Sequence, residues 1–313
     1  MIVILIVEMP LHPAFGDAAG TDWRKRMFAV MGVTGQVGKA VANALLGAGK
    51  KVRVVVRDAA KAVDWAQKGC EVALAHNTDV DAMTHALSGV EGAFILMPPN
   101  YDPAPGFPDT VAANQAVRKA LNDAKPPKVV VLSTVGAHVS RENLLNNLKM
   151  SEEAFRTLDL PVAFLRAAWF MENSSWDLSD AKQGRMNGFL QPADHPIPMI
   201  AVQDIGATVA DLLHEQWQGP RVVELEGPAR YSATEIAIAL SLAFGHSVRL
   251  NMVPRSEWES LFRSQGATNP MPRIQMIDGF NEGWIDFEGN GIEHRKGPTS
   301  LNDAIKQLVV ERA

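Results

Sequence analysis

Three glycines at three-residue spacing, Gly32, Gly35 and Gly38, sit where the apolar run Phe28 to Met31 gives way to Val37, Val41 and Leu45 at helical spacing. The pattern reads as strand, tight turn, helix start. At such a junction glycine backbone lets a pyrophosphate approach N–H groups and lets the helix pack closely on its strand. The phosphates would rest on the helix N-terminus, with Thr34, Gln36 and Val37 beside them. The spacing is Gly-x-x-Gly-x-x-Gly, which departs from the common Gly-x-Gly-x-x-Gly fingerprint, so the strand before and the helix after carry the reading. The alternative is an ordinary glycine-rich turn.

Further candidates fall at the ends of later apolar runs. Lys51 to Val56 ends on Arg57, about 25 residues beyond Gly32, where the second strand of such a unit meets the adenosine ribose. An acid there would hold the 2′-hydroxyl of NAD. Arg57, with Lys61 one helical turn on, suits the 2′-phosphate of NADP, so NADP(H) is expected, with NAD(H) as the second option. Asp58 lies one position further and is expected to point elsewhere; two solvated surface cations are the plainer reading of Arg57 and Lys61. Asn77, after the third strand, would touch adenine or belong to a solvated loop with His76. Met97 and Pro98 end the fourth strand and open a proline-rich stretch to Pro108, either a wall of the nicotinamide pocket or an irregular connector. Ser133 and Thr134 end the fifth strand. Lys149, on a helix expected over 144–158, is the candidate catalytic cation, against the plain reading of a solvated helix lysine. In short-chain dehydrogenases a tyrosine four residues before the lysine protonates the carbonyl. Here that position is Leu145, and the chain has only Tyr101 and Tyr231. Trp169 and Phe170 form a bulky pair leaving the sixth strand, expected to contact substrate. No metal-ligand spacing is present.

The elements that must position these residues follow from periodicity. Strands at 28–31, 51–56, 72–75, 93–97, 128–132 and 160–166 alternate with helices, including 78–87 and 111–124, which predicts a parallel, doubly wound α/β sheet. Asp204 precedes an apolar helix over 205–213 and reads as its N-cap. Ser232 to Glu235 is a capping box. A strand at 248–253, a helix opening at Ser256, a methionine and aromatic stripe from Met271 to Trp284 and a last helix over 300–310 complete the chain; such a stripe is core rather than substrate contact. The expected organisation is an N-terminal extension (1–26), a dinucleotide-binding domain (27–170, completed by about 198–226) and a discontinuous C-terminal substrate subdomain (171–197 and 227–313).

At 313 residues, 47% hydrophobic and 21% charged with a formal charge of −5, the chain has the composition of a soluble globular protein and lacks a basic excess for nucleic acid. Its single cysteine, Cys70, excludes disulfide and cysteine-metal frameworks and points to the cytoplasm. The apolar start, Met1 to Met9, lacks a basic flank and is too short to span a bilayer, so neither signal nor membrane anchor is expected. A breaker-rich stretch separates it from Met27. Residues 1–26 therefore read as a packed extension or, preferably, an upstream start without function.

The glycine turn, the strand ending Val-Val-Val-Arg-Asp, Leu-Ser-Thr-Val-Gly (132–136), Leu-Arg-x-x-x-Phe-Met-Glu-Asn (165–173) and Val-Gln-Asp-Ile-Gly (202–206), in this order, resemble the NmrA-like family of atypical short-chain dehydrogenases. Glu226-Gly227-Pro228 before a capped helix extends the resemblance, which runs from Met27 to about Val309. It implies an NAD(P)-binding sheet with a small C-terminal substrate region. Family members include quinone, azo and isoflavone-type reductases and cofactor-sensing regulators. In the isoflavone-reductase branch a lysine near this helix start serves catalysis, and Lys149 is the nearest match; Ala167 stands where Leu-Arg-Pro is usual. The missing tyrosine removes the proton donor of a carbonyl reductase or sugar-nucleotide epimerase. A quinone instead takes hydride into a delocalised ring and collects its proton from water. The expectation is hydride transfer from NAD(P)H to a small conjugated acceptor such as a quinone or azo compound, with an NADP(H)-binding redox sensor as the rival. The partner is a small molecule; oligomeric state is not legible.

Overall fold

The computed structural model describes residues 27–312, so the expected N-terminal extension lies outside the described residues. The first half alternates strand and helix. It runs β1 (Met27–Met31), α1 (Gln36–Gly47), β2 (Lys51–Val56), α2 (Val63–Gln67), β3 (Glu71–Leu74), α3 (Val80–Leu87) and β4 (Gly92–Ile95). It continues through α4 (Pro108–Ala124), β5 (Val129–Thr134), α5 (Asn146–Phe155) and β6 (Val162–Ala167). The second half is more broken. It holds β7 (Trp169–Phe170), α6 (Leu178–Ala181), β8 (Arg185–Gly188), β9 (Ile197–Ile200), α7 (Val202–His214) and β10 (Pro220–Glu226). Then come β11 (Arg230–Tyr231), α8 (Ala233–Phe244), β12 (Arg249–Met252), α9 (Trp258–Ser264), α10 (Met271–Asn281), β13 (Glu293–Lys296) and α11 (Leu301–Arg312).

Eight strands form one parallel sheet in the order β13-β10-β6-β5-β4-β1-β2-β3. The order reverses between β1 and β4, the switch point where open α/β sheets bind ligands. The expected doubly wound α/β architecture is the one observed. Strands β1, β4, β5 and β6 are buried throughout because helices cover both faces. On one face α1 and α7 meet so closely that a Cβ at Gly206 would stand 2.7 Å from the Ala40 carbonyl carbon. The other face carries α3, α4 and α5 on Met83, Val117, Leu121 and Phe155. A third cluster, including Met171, Met186, Ile236, Leu240, Phe280 and Ile305, is built from the second half, with a three-stranded sheet β11-β9-β7 and a pair β12-β8. Strand β13, from the segment assigned to the substrate subdomain, is the edge strand of the large sheet.

Several boundaries move for local reasons. Helix α4 starts at Pro108 rather than Val111, since proline suits the first helical turn and Phe107 before it takes a left-handed conformation (φ 53°). Helix α3 is capped by Asp79, whose carboxylate accepts from the Ala82 N–H, and not opened by Thr78. The Ser232–Glu235 capping box forms as read. Asp204 is not an N-cap: α7 begins at Val202, and Glu172 Oε1, brought from far along the chain, accepts from the Val202 N–H (2.9 Å). The Asp204 carboxylate instead accepts from Thr299 N (2.9 Å) and Thr299 Oγ1 (2.7 Å), tying the approach to α11 onto α7.

Candidate functional site

The three glycines have three separate jobs. Gly32 has φ +73°, a left-handed conformation that closes the turn, with the Gly35 N–H donating to its carbonyl at 2.9 Å. Gly38 is the contact between helix and strand: an added Cβ would lie 2.3 Å from the Gly32 carbonyl group, an overlap no side chain can hold. Gly35 is different. Its φ is −102°, and an added Cβ would meet nothing closer than 3.5 Å, so the fold itself does not require glycine there. Gly35 is the N-cap of α1 yet supplies no side-chain acceptor, and the first turn carries no acidic residue. The first N–H groups of α1, at Gln36, Val37 and Gly38, are therefore left for an outside acceptor, at the positive end of the helix. Thr34, Gly35 and Gln36 are exposed around them, while Val37 and Gly38 are buried.

The ends of the neighbouring strands converge on this turn. Leu96, after β4, packs against Gly32, which places Met97 (buried) and Pro98 (exposed) at the switch point. Arg57 leaves β2 exposed, and neither it nor Lys61 has a carboxylate partner among the described residues. Asp58 is occupied, its carboxylate accepting from Ala60 N (2.9 Å) to cap the 3₁₀ turn that carries Lys61. A cleft beside the glycine turn is lined by Thr34, Lys39, Lys61, Trp65 and Lys68. Asn77 is half-buried after β3, while His76 Nδ1 is hydrogen-bonded to Thr78 Oγ1 (2.8 Å). Cys70 is buried, and that burial raises its thiol pKa.

At the far side of the switch point the expected residues separate. Ser133 is buried, and its hydroxyl donates to Glu152 Oε1 (2.5 Å) inside the molecule. Thr134 is buried too, its hydroxyl donating to the Val135 carbonyl. Lys149 lies on α5 with Nζ donating to the Val139 carbonyl (3.1 Å), in the loop that leaves β5. Leu145, at the tyrosine's expected place, packs toward the third cluster. Of the two tyrosines, Tyr231 accepts from the Leu301 N–H, and Tyr101 stands on the proline-rich loop, half exposed. Trp169 and Phe170 are both half-buried but on opposite sides of β7: Trp169 meets Phe280 edge-on at 5.3 Å, and Phe170 packs on the core shared with α1.

The proline-rich loop is anchored. Asp102 Oδ1 accepts from Asn269 N (2.6 Å), Asp102 Oδ2 accepts from Thr268 N and Oγ1, and Asn269 Nδ2 donates to the Pro103 carbonyl. These bonds hold the Asp102 carboxyl below the usual carboxylate range, the Thr268 hydroxyl contributing most. The loop after β4 is thereby fixed to the chain entering α10.

Sequence reading missed a buried ionic cluster below this region. Arg166 donates to Glu152 through Nε (2.9 Å) and Nη2 (3.0 Å) and to Glu288 through Nη1 (2.6 Å), with Glu224 at 4.0 Å. Despite its burial, the hydrogen bonds it donates to Glu152 and Glu288 raise the guanidinium pKa. The arginine was legible as part of a motif, and its strand position, buried on both faces, was the signal that it needed partners. Glu172 is the other omission. Desolvation pushes its carboxyl up to about 7, and Oε2 is buried with no partner among the described residues.

A parallel sheet with order reversal at β1 and β4, and an uncapped glycine turn at that point, define a Rossmann-type α/β protein. The chain belongs to the NmrA-like family, whose model matches residues 24–294. It is 26% identical over 259 residues to the NAD(P)H azoreductase of Xenophilus azovorans, covering 82% of this chain and 85% of that protein. It is also 26% identical over 247 residues to quinone oxidoreductase 2 of Escherichia coli (strain K12), covering 77% and 82%. Among solved structures, the NADPH complex of the Escherichia coli NADPH-dependent quinone oxidoreductase superposes with TM-score 0.74 at 22% identity, covering 90% of this chain and 100% of that one. The NADP(H) complex of triphenylmethane reductase from Citrobacter sp. gives 0.73 at 22% identity, covering 90% and 99%.

Proposed function

We propose that this protein is an NADPH-dependent reductase that passes hydride to a small conjugated acceptor such as a quinone or an azo compound. The observation that carries the reading is the α1 N-terminus: N–H groups with no side-chain cap, an exposed Gly35 with room in front of it, and Arg57 and Lys61 at the next strand end, without a carboxylate partner among the described residues. These fit a dinucleotide with a 2′-phosphate, and the family's reductases support it. NADP(H), when bound, supplies the hydride; NAD(H) is the alternative cofactor.

In this reading Gly32, Thr34, Gly35, Gln36, Val37 and Gly38 receive the pyrophosphate. Arg57 and Lys61 hold the 2′-phosphate, Asn77 meets the adenine, and Met97, Pro98 and Thr134 border the nicotinamide. Lys149 keeps one N–H on the Val139 carbonyl and has two more for negative charge developing on the reduced acceptor. Segments 171–197 and 227–312, apart from β13 in the large sheet, form the acceptor side in this reading, with Trp169 and Phe170 at its base. No helix among the described residues is long and apolar enough to cross a membrane, and a cytoplasmic location fits a single buried cysteine.

The test is NADPH oxidation by the purified protein across a quinone, an azo dye, a simple aldehyde and a simple ketone, with cofactor affinity measured alongside. Turnover is expected with the quinone and azo dye and little with the other two, and Lys149→Ala should lower quinone kcat more than NADPH affinity. Tight NADPH binding without oxidation by any acceptor would replace the reductase with a cofactor sensor. Brisk ketone reduction would reveal a proton donor that this reading lacks.

A further inference from the structure

Arg273 is a guanidinium without an acid. It lies half-buried in the first turn of α10 and has no carboxylate or hydrogen-bond partner among the described residues, whereas Arg255 and Arg263 nearby pair with Asp278 and Glu259. Its neighbours are aromatic. The guanidinium carbon stands 4.3 Å from the Phe262 ring centroid and 5.9 Å from that of Trp176, and the Tyr101 phenol is within its field. Burial holds the guanidinium pKa below its usual value, yet it stays charged at neutral pH. A partly desolvated cation with no anionic partner among the described residues is a place where an outside anion is favoured.

Two of those aromatic neighbours are also open to solvent. Tyr101 is 56% and Trp176 60% exposed, and their rings meet edge to face at 6.1 Å. The place is the acceptor side of the proposed site. Tyr101 follows Met97 by four residues on the loop that leaves β4, and Asp102 pins that loop to residues 268 and 269. The Pro272 carbonyl, adjacent to Arg273, accepts from the Leu144 N–H (2.9 Å) at the approach to α5, the helix of Lys149. Trp176 ends the 3₁₀ segment that follows Phe170.

We propose that Arg273, Tyr101 and Trp176 form the subsite for an acidic substituent on an aromatic acceptor, the rings stacking on its plane and the guanidinium pairing with its sulfonate or carboxylate. The preferred acceptors are thus anionic aromatics rather than neutral ones. This rests on the reductase reading for its substrate, but the subsite is tested separately from turnover. Naphthalene-2-sulfonate is titrated into the full-length protein saturated with NADP⁺, following tryptophan fluorescence. Saturable quenching is expected, weakened at least tenfold in Arg273→Gln and recovered in good part in Arg273→Lys, with thermal melting as the check on folding. In parallel, kcat/KM is compared for 1,4-naphthoquinone-2-sulfonate and 2-methyl-1,4-naphthoquinone. The ratio favouring the sulfonate should fall at least tenfold in Arg273→Gln, through KM rather than kcat. No binding of the sulfonate by wild type, or affinity and ratio unchanged in Arg273→Gln, would overturn the subsite. If wild type reduces neither quinone the reductase reading fails, and the titration still decides the subsite.

Discussion

Two groups of cations around the eight-stranded sheet are treated in opposite ways. Around β6, β10 and β13 arginines are closed into rings of carboxylates: Arg166 with Glu152 and Glu288, and Arg221 and Arg295 both with Glu215 and Glu293. There the hydrogen bonds from Arg295 and Arg221 outweigh burial and hold the Glu215 carboxyl below its usual value. Beyond β1 and β2, Arg57 and Lys61 stand exposed, with no carboxylate partner among the described residues, beside a helix end with no side-chain cap. Both regions are rich in charge, but only the first is finished. A cation that its own chain has satisfied is architecture, and one left open beside orphan N–H groups is what the proposed cofactor role requires.

The comparison is broken most severely at Arg166. Arg166→Met strands Glu152, Glu224 and Glu288 without their shared cation, so unfolding free energy should fall by about 3–5 kcal/mol in a denaturant titration. Cofactor affinity per folded molecule should remain, since the cluster is on the finished side. A variant as stable as wild type would mean that the cluster is dispensable.

Next come the two glycines that look alike in sequence. Gly38→Val drives a side chain into the Gly32 carbonyl and should cost roughly 3 kcal/mol, the upper end of overpacking, with a lowered melting temperature. Gly35→Val has room and an unstrained backbone, so it should fold normally while blocking phosphate approach and abolishing NADPH binding. Normal binding by folded Gly35→Val would remove the phosphates from this turn.

Arg57→Ala sharpens the open end. Losing one charge-assisted hydrogen bond is worth roughly 1.5–3 kcal/mol, so NADPH should bind about tenfold or more weakly, with NADH nearly unaffected. Stability should hold within about 0.5 kcal/mol, as for an unpaired surface residue. Equal loss for both cofactors would deny the 2′-phosphate contact.

The smallest effect concerns Glu172, whose carboxyl is largely shielded at the start of α7 and has no cation partner among the described residues. Its folded pKa of about 7 lies above the ordinary 4.5, so the folded state holds a proton that the unfolded state has released. Stability contributed by the neutral form is present below about 4.5 and declines as pH rises toward 7. Asp177, also raised to about 7 by burial, adds to the same slope. Glu172→Gln should flatten it, gaining about 1 kcal/mol relative to wild type at pH 8, as read from paired unfolding curves at pH 5 and pH 8. An unchanged slope would assign the dependence elsewhere.

The sequence by itself determined the parallel sheet, the glycine turn and the strand ends that surround it. Each depends on neighbours close in the chain: apolar runs that must be buried on both faces, a positive-φ glycine after a strand, and a residue type at a strand's end. Even the absence of a tyrosine before Lys149 was legible as a limit on the chemistry. What only the tertiary structure decided lies between elements distant in sequence. Ser133 turns inward because Glu152 and Arg166 arrive beneath it, Glu172 and not Asp204 caps α7, and β13 returns to the edge of the sheet. Arg273 has no acid beside it among the described residues, although its neighbours in sequence give no hint of that. A charge's role depends on whether a counter-charge reaches it within a few ångströms, and that distance is set by how the chain packs, which local pattern does not encode.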